Sequence, residues 1–221
     1  MTPDVRTVVR ISRRASVEGE GLRLFFSNQF LPEEIRTLKE KRMVVIFRAV
    51  SGGGKSVLAD LLGSTDFLIG GFEPALGPAQ EYCKVLWQSI MRTEHQFYKV
   101  SADDYFTVGG EYKFDPKFLG VAHAACLRNF DEVVKDPKNV IVVDNTNTTI
   151  AEFGTYASLA NAYGHELHII SLVVNPLEAY YRNKHKTPYL QIVKQAHNLE
   201  KSIVEMPPWF PQQVFPTERR H

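Results

Sequence analysis

Ala49-Val-Ser-Gly-Gly-Gly-Lys-Ser56 is the densest concentration of chemistry-bearing residues in the chain. Its three successive glycines, Gly52, Gly53 and Gly54, free the backbone to curl, so that N–H groups can face phosphate oxygens. A helix opening at Lys55 would add the partial positive charge of its N-terminus. Lys55 could then reach the β- and γ-phosphates of a nucleotide, and Ser56 could offer its hydroxyl to Mg²⁺. The residues expected to hold the nucleotide run from Ser51 through Gly52, Gly53, Gly54, Lys55 and Ser56 to Val57. The competing reading is a glycine-rich turn without a ligand. The usual eight-residue pattern starts with glycine, and Ala49 departs from it because alanine resists positive φ.

Two acidic stretches follow. Ser101-Ala-Asp-Asp-Tyr-Phe106 comes directly after a candidate strand. There one of Asp103 and Asp104 could take a proton from a substrate hydroxyl while the other caps the next segment or meets a cation. Alternatively both acids only cap and solvate. Asp144 ends an apolar run, where an acid would face the phosphates and help order Mg²⁺; the alternative is a turn residue ahead of Asn145-Thr-Asn147. Tyr181-Arg-Asn-Lys-His-Lys186 is a basic hinge. Arg182 or Lys186 could clamp a migrating phosphoryl group, although a solvated basic corner has the same composition. His185 has no metal-ligand spacing around it and reads as a polar lid residue. Tyr105, Phe106 and Tyr112 could stack nucleobases, or could simply pack. Arg92, Lys113 and Lys117 could guide a strand.

These groups need elements to position them. Met43 to Phe47 and Asn139 to Val143 are fully apolar runs, as buried parallel strands require. Tyr98 to Ser101 and Glu166 to Val174 are further strands. Helices are expected over Lys55–Leu62, Asp115–Val134, Ile150–Tyr163, Pro176–Asn183 and Pro188–Val204. The alternation predicts an α/β fold, a parallel sheet with helices on both faces. Residues 63–96 fit poorly and read as an insertion with a helix over Ala79–Met91, either a lid or a surface addition. Prolines 207, 208, 211 and 216 mark an irregular tail.

Composition bounds the rest. The chain has 221 residues, 44% hydrophobic and 23% charged, which fits one domain with appendages. The charge sum is 26 − 25 = +1, so any nucleic-acid contact must come from a local basic patch. Cys83 and Cys126 form no zinc or disulfide pattern and read as reduced thiols of a cytoplasmic or nuclear protein. The start, with Arg6, Arg10, Arg13 and Arg14, suits a mitochondrial targeting segment or a frayed basic arm. No apolar run approaches the roughly 20 residues of a membrane span, and no feature names a stable protein partner.

The ordered motifs Ser51–Ser56, Ser101–Tyr105, Val142–Asn147 and Arg182–His185 resemble the polynucleotide 5′-hydroxyl kinase family of P-loop phosphotransferases. The likeness is nearest to the kinase-like domain of the Nedd-four-binding protein two group, through Tyr112-Lys-Phe-Asp115, Ala122-His123 and Asp144-Asn-Thr-Asn147. It is more distant to the N-terminal domain of vertebrate cyclic nucleotide phosphodiesterase. The resemblance implies a P-loop NTPase fold of the nucleoside-kinase type with a short helical lid. The expected layout is an arm and short helix over 1–42, a kinase domain over 43–207 and a tail over 208–221. The domain carries the insertion at about 63–96 and a lid at about 181–189.

By motif position the resemblance makes Asp103 the general base, with Lys55, Arg182 and Lys186 as the other catalytic residues, and ATP and Mg²⁺ (on Ser56 and Asp144) as cofactors. The acceptor it implies is the 5′-hydroxyl end of RNA or DNA, bound transiently. Candidate contacts to it are Asp104, Tyr105, Phe106, Tyr112, Thr146 and Asn147. Where the family carries an arginine after its acid pair, this chain has Phe106, so stacking would replace an ionic contact. The rival expectations are a kinase for a small acceptor such as a nucleoside or sugar, and a nucleotide-binding scaffold without catalysis.

Overall fold

The computed structural model describes residues 42–64, 76–91 and 95–217. The expectations for the arm and its helix and for Arg92 lie outside the described residues.

Five parallel strands form the sheet, β1 (Met43–Arg48), β2 (Gln96–Val100), β5 (Asn139–Asp144), β6 (Glu166–Val174) and β7 (Gln212–Thr217), in the order β2-β5-β1-β6-β7. A separate two-stranded hairpin is made by β3 (Thr107–Val108) and β4 (Glu111–Tyr112). The helices are α1 (Lys55–Gly63), α2 (Gly77–Met91), α3 (Leu119–Val134), α4 (Ile150–Ala162), α5 (Pro176–Arg182) and α6 (Tyr189–Val204).

The alternation of β1 explains its unbroken hydrophobicity. Met43, Val45 and Phe47 enter one core with residues of α1, α2, α5 and α6. Val44 and Ile46 enter the other with residues of α3 and α4. Helices therefore cover both faces, which is why β1 is apolar at every position from Met43 to Phe47.

Two expectations change. The residues after Pro207 are not an irregular tail: Gln212–Thr217 pairs in parallel with β6 and extends the sheet by one strand. Pro216 is tolerated because β7 lies at the sheet edge, where a missing N–H leaves no ladder bond unmade. The helix expected within the insertion packs one face into the core instead of lying apart from it. Ala79, Cys83, Leu86 and Ile90 of α2 are buried in the first core, and Tyr82 meets Phe215 of β7 with ring centroids 5.6 Å apart. Both cysteines are buried and unpaired.

One core residue has no signal in the sequence. Arg48, the last residue of β1, is 0% exposed. Its Nε donates to the Asn147 carbonyl at 2.9 Å and one terminal nitrogen to Ser171 Oγ at 3.1 Å. The other donates to Ser202 Oγ, and the guanidinium lies 4.5 Å from the centre of the Phe153 ring. Burial lowers its pKa to about 10, with Glu152 acting in the opposite sense, so it stays charged at neutral pH. The residue thus ties together β1, the loop after β5, β6 and α6. Arg48→Ala would orphan several buried acceptors, each costing about 1–3 kcal/mol. The expected loss is about 3 kcal/mol or more, read from urea unfolding; a variant as stable as wild type would remove the network from the stability argument.

Candidate phosphoryl-transfer site

The glycine loop joins β1 to α1, and each glycine is there for a geometric reason. Gly52 and Gly54 hold φ of +80° and +92°. A Cβ on Gly52 would sit 2.1 Å from the Ala179 carbonyl oxygen, and one on Gly54 would sit 2.9 Å from Leu76 Cδ2. A Cβ on Gly53 would meet the Ala49 methyl at 2.8 Å. Ala49 is accommodated, because it is not among the positive-φ residues and its amide donates to Thr146 O at 3.0 Å. The departure from glycine at this position therefore causes no backbone strain.

Not every loop amide faces inward as expected. The Ser51 amide donates to Gln195 Oε1 of α6 at 2.9 Å, and the Gly53 amide closes a turn onto Val50 O at 3.0 Å. Ser51 is therefore held by α6 instead of offering its amide to a phosphate. Lys55, Ser56 and Val57 form the first turn of α1, where amides lack intrahelical acceptors. Their N–H groups and the α1 N-terminus form the electropositive end of the loop, the chemistry an anion site requires.

Asp144 completes this end. It closes β5, opposite Phe47 of β1, and is 5% exposed. Ser56 Oγ donates to its Oδ1 at 3.2 Å. The two residues expected to order Mg²⁺ are thus brought together from 88 positions apart in sequence.

The acid pair is positioned by a staple between β2 and β5. Ser101 Oγ donates to the Asp144 carbonyl at 3.0 Å and accepts from the Asp103 amide at 3.2 Å. The Ala102 amide donates to Asn145 Oδ1 at 2.8 Å. Ser101, not either acid, caps the short 3₁₀ turn Ala102–Phe106. The β3–β4 hairpin then reverses the chain through Gly109 and Gly110, both at positive φ, as a tight hairpin turn requires. It returns the Tyr112 hydroxyl to Asp103 Oδ1 at 3.0 Å. Burial first, and then the Asp103 carboxylate, push the phenol's pKa upward, so it remains a donor.

Asp104, the second acid of the pair, is half-buried. Burial is the main cause of its raised pKa of about 6, with Asp144 and Asp103 adding and Lys99 and the Ser101 amide opposing. A carboxyl whose pKa is higher folded than unfolded binds its proton more tightly in the folded state. Its contribution to stability is therefore present below the ordinary value of 3.8 and lost as pH rises through about 6. Asp104→Asn should raise the thermal midpoint at about pH 8, and the gain should shrink toward about pH 4. A gain of equal size at both would show that the carboxyl's titration is not the cause.

The basic corner between α5 and α6 lies against the phosphate loop. Besides the Ala179 contact, a Cβ on Gly52 would be 3.1 Å from Asn183 Cβ. Arg182 is partly buried at the end of α5, and Lys186 is exposed at φ +54°.

Among the expected acceptor contacts, Tyr112 lies on Asp103, and Asp104, Tyr105 and Thr146 are partly buried around the same sheet edge. Two are displaced from that role. Phe106 is 3% exposed in the second core, edge-on to Tyr105, Tyr112 and Phe114, so it cannot stack an incoming base. Asn147 is 1% exposed and donates to the Phe47 carbonyl at 2.9 Å. It locks the loop after β5 to β1 and is closed off from a substrate. His185, a polar lid residue by its sequence context, has a closer connection to the site. Its Nε2 lies 3.9 Å from Asp103 Oδ2, an ion-pair separation, and its ring centroid is 4.6 Å from that of Tyr112.

The sheet, the loop and the Ser56–Asp144 pair define an α/β fold of the P-loop type. One solved structure supports the fold. A chain of the PezAT chromosomal toxin–antitoxin system of Streptococcus pneumoniae superposes with a TM-score of 0.52 at 12% identity, over 85% of this chain and 75% of that one. A gluconokinase from Sinorhizobium meliloti matches at a TM-score of 0.46 and 12% identity, over 82% of this chain and 86% of its own. Kti12 of Chaetomium thermophilum in complex with ADP-AlF3 matches at 0.45 and 12%, over 78% and 88%. In sequence, human NEDD4-binding protein 2 is 34% identical over 68 residues, which is 31% of this chain and 4% of that protein. No family model matches the chain.

Proposed function

We propose that the chain is an ATP-dependent phosphotransferase that moves the γ-phosphoryl group to the 5′-hydroxyl of RNA or DNA. The observation that carries this reading is Asp103. Its side chain is 49% exposed, oriented by Tyr112, and set on the same sheet edge as the phosphate loop through the Ser101–Asp144 staple.

Lys55 and the first-turn amides of α1 bind the triphosphate, and Arg182 and Lys186 approach it from the lid. Ser56 and Asp144 suit Mg²⁺, which takes one or two protein ligands and completes its shell with phosphates and water. No group of three or more His, Cys, Asp or Glu able to hold a metal occurs among the described residues, so a fully protein-caged ion does not fit. When bound, the ion neutralises charge on the phosphate oxygens. Asp103 accepts the acceptor's hydroxyl proton as that oxygen bonds to the γ-phosphorus. The bond to the β-phosphate oxygen breaks and ADP leaves. Most of the catalysis is positioning and charge stabilisation.

The surroundings of Asp103 support a polynucleotide acceptor. Tyr112 is exposed against it, and Phe114 and Phe118 are exposed further along the same segment, as base-stacking platforms are. Lys117 is exposed on the same segment, and Lys113 is ion-paired to Glu111 at 2.8 Å. The test is γ-labelled ATP with 5′-hydroxyl RNA and DNA oligonucleotides, free nucleosides and sugars. Label on the oligonucleotides is expected. Label only on a small acceptor would replace the substrate, and ATP binding without any transfer would leave a scaffold.

A further inference from the structure

Two side chains meet the Asp103 carboxylate, and one of them comes from the lid. The Asn183 side chain shapes the lid turn: its Oδ1 accepts from the His185 amide at 3.1 Å, and its Nδ2 donates to the Thr187 carbonyl at 3.3 Å. The same residue abuts Gly52 of the phosphate loop. The turn so pinned projects His185 across to the acid, with Nε2 3.9 Å from Asp103 Oδ2 and the ring tilted at 52° against Tyr112. Tyr112 holds the other carboxylate oxygen at 3.0 Å.

We infer that His185 is a positioning residue for the general base, acting from the lid: with Tyr112 it brackets the Asp103 carboxylate, so that the base is aligned only when the lid turn lies against the phosphate loop. The inference rests on the proposed reaction and names the residue that regulates its base. A carboxylate that is half exposed and free to rotate presents its lone pairs to an acceptor hydroxyl only part of the time. Bracketing both oxygens, one from the hairpin and one from the lid, restricts that rotation. Because the lid segment also touches Gly52, nucleotide seating and base alignment share one structural element.

The experiment compares His185→Ala, His185→Phe and His185→Gln in the full chain, with kcat, acceptor KM and ATP dissociation constant measured for each. Glutamine reaches with an N–H to about the place of Nε2, and phenylalanine keeps only the ring against Tyr112. The expected result is a drop in kcat of about tenfold or more for the Ala and Phe variants, with recovery in Gln and an unchanged ATP dissociation constant. Full activity in His185→Phe, or loss of ATP affinity in step with kcat, overturns the inference.

A second readout needs no activity. In protein with ¹⁵N-labelled histidine, the His185 ring resonances should move on Asp103→Asn and stay in place on Lys135→Ala, a change on the far end of α3. Unmoved resonances in Asp103→Asn overturn the inference even where transfer is seen. Absence of transfer from wild-type protein to every acceptor removes the proposed reaction instead, and the resonance shift then decides the contact alone.

Discussion

Asp103→Asn should lower phosphoryl transfer by about 10²–10⁴-fold, the range of a lost general base, while ATP binding persists. The carboxamide has the shape of the carboxylate and can still accept from Tyr112 through its oxygen, so the 3₁₀ turn and hairpin remain in place. It cannot take up the acceptor's proton at neutral pH. The phosphate loop, on the other side of the Ser56–Asp144 pair, has no contact that this change removes. Single-turnover transfer from γ-labelled ATP and calorimetric titration with ATP separate the two quantities. If transfer survives at the wild-type rate, Asp103 is not the base.

Gly52→Ala should cost nucleotide affinity at least about tenfold. Two penalties combine at one atom. An alanine in the left-handed region costs about 1–2 kcal/mol, and its Cβ would lie 2.1 Å from the Ala179 carbonyl oxygen. That oxygen is backbone inside α5 and cannot swing aside as a flexible side chain would. The loop or α5 must move, and each increment of about 1.4 kcal/mol so absorbed is a factor of ten in binding. Gly109→Ala is the control: it too sits at positive φ, at +61°, but nothing lies within 4 Å of its missing Cβ. It should disturb the hairpin and spare ATP binding. Equal ATP affinity in Gly52→Ala and wild type would mean that the loop is not the nucleotide site.

Much of this arrangement is legible in the order of residues alone. Apolar runs place β1, β5 and β6 because parallel strands covered on both faces admit no polar alternation. The spacing of Leu119, Ala122, Cys126, Phe130 and Val134 places α3, of which only the preceding turn, Pro116–Phe118, is 3₁₀ instead of α. The glycines, Lys55 and Ser56 announce the loop through its local backbone demands, and Asp103 and Asp144 stand where strands end.

The features that are not legible depend on partners distant in sequence. Proline punctuation argues against β7, yet the decisive fact is that Gln212–Thr217 lies at an edge beside β6. Phe106 and Asn147 have types suited to substrate contact, and only packing shows that one fills a core and the other bonds to β1. Gly109-Gly110 can signal a hairpin, but not that it returns Tyr112 to Asp103. Arg48 looks like a stray charge ending a strand, with its acceptors 99 to 154 positions away.

The sequence by itself determined the kinds of element, the phosphate loop and the acids that could do chemistry, because these follow from backbone freedom, local periodicity and side-chain type. Only the tertiary structure decided which of those side chains meet. Ser56 reaches Asp144 because β1 and β5 are neighbours in register. His185 reaches Asp103 because the turn between α5 and α6, pinned by Asn183, lies against the 3₁₀ turn and hairpin far earlier in the chain, and contacts closed over such separations are set by packing, on which local residue preferences carry no information.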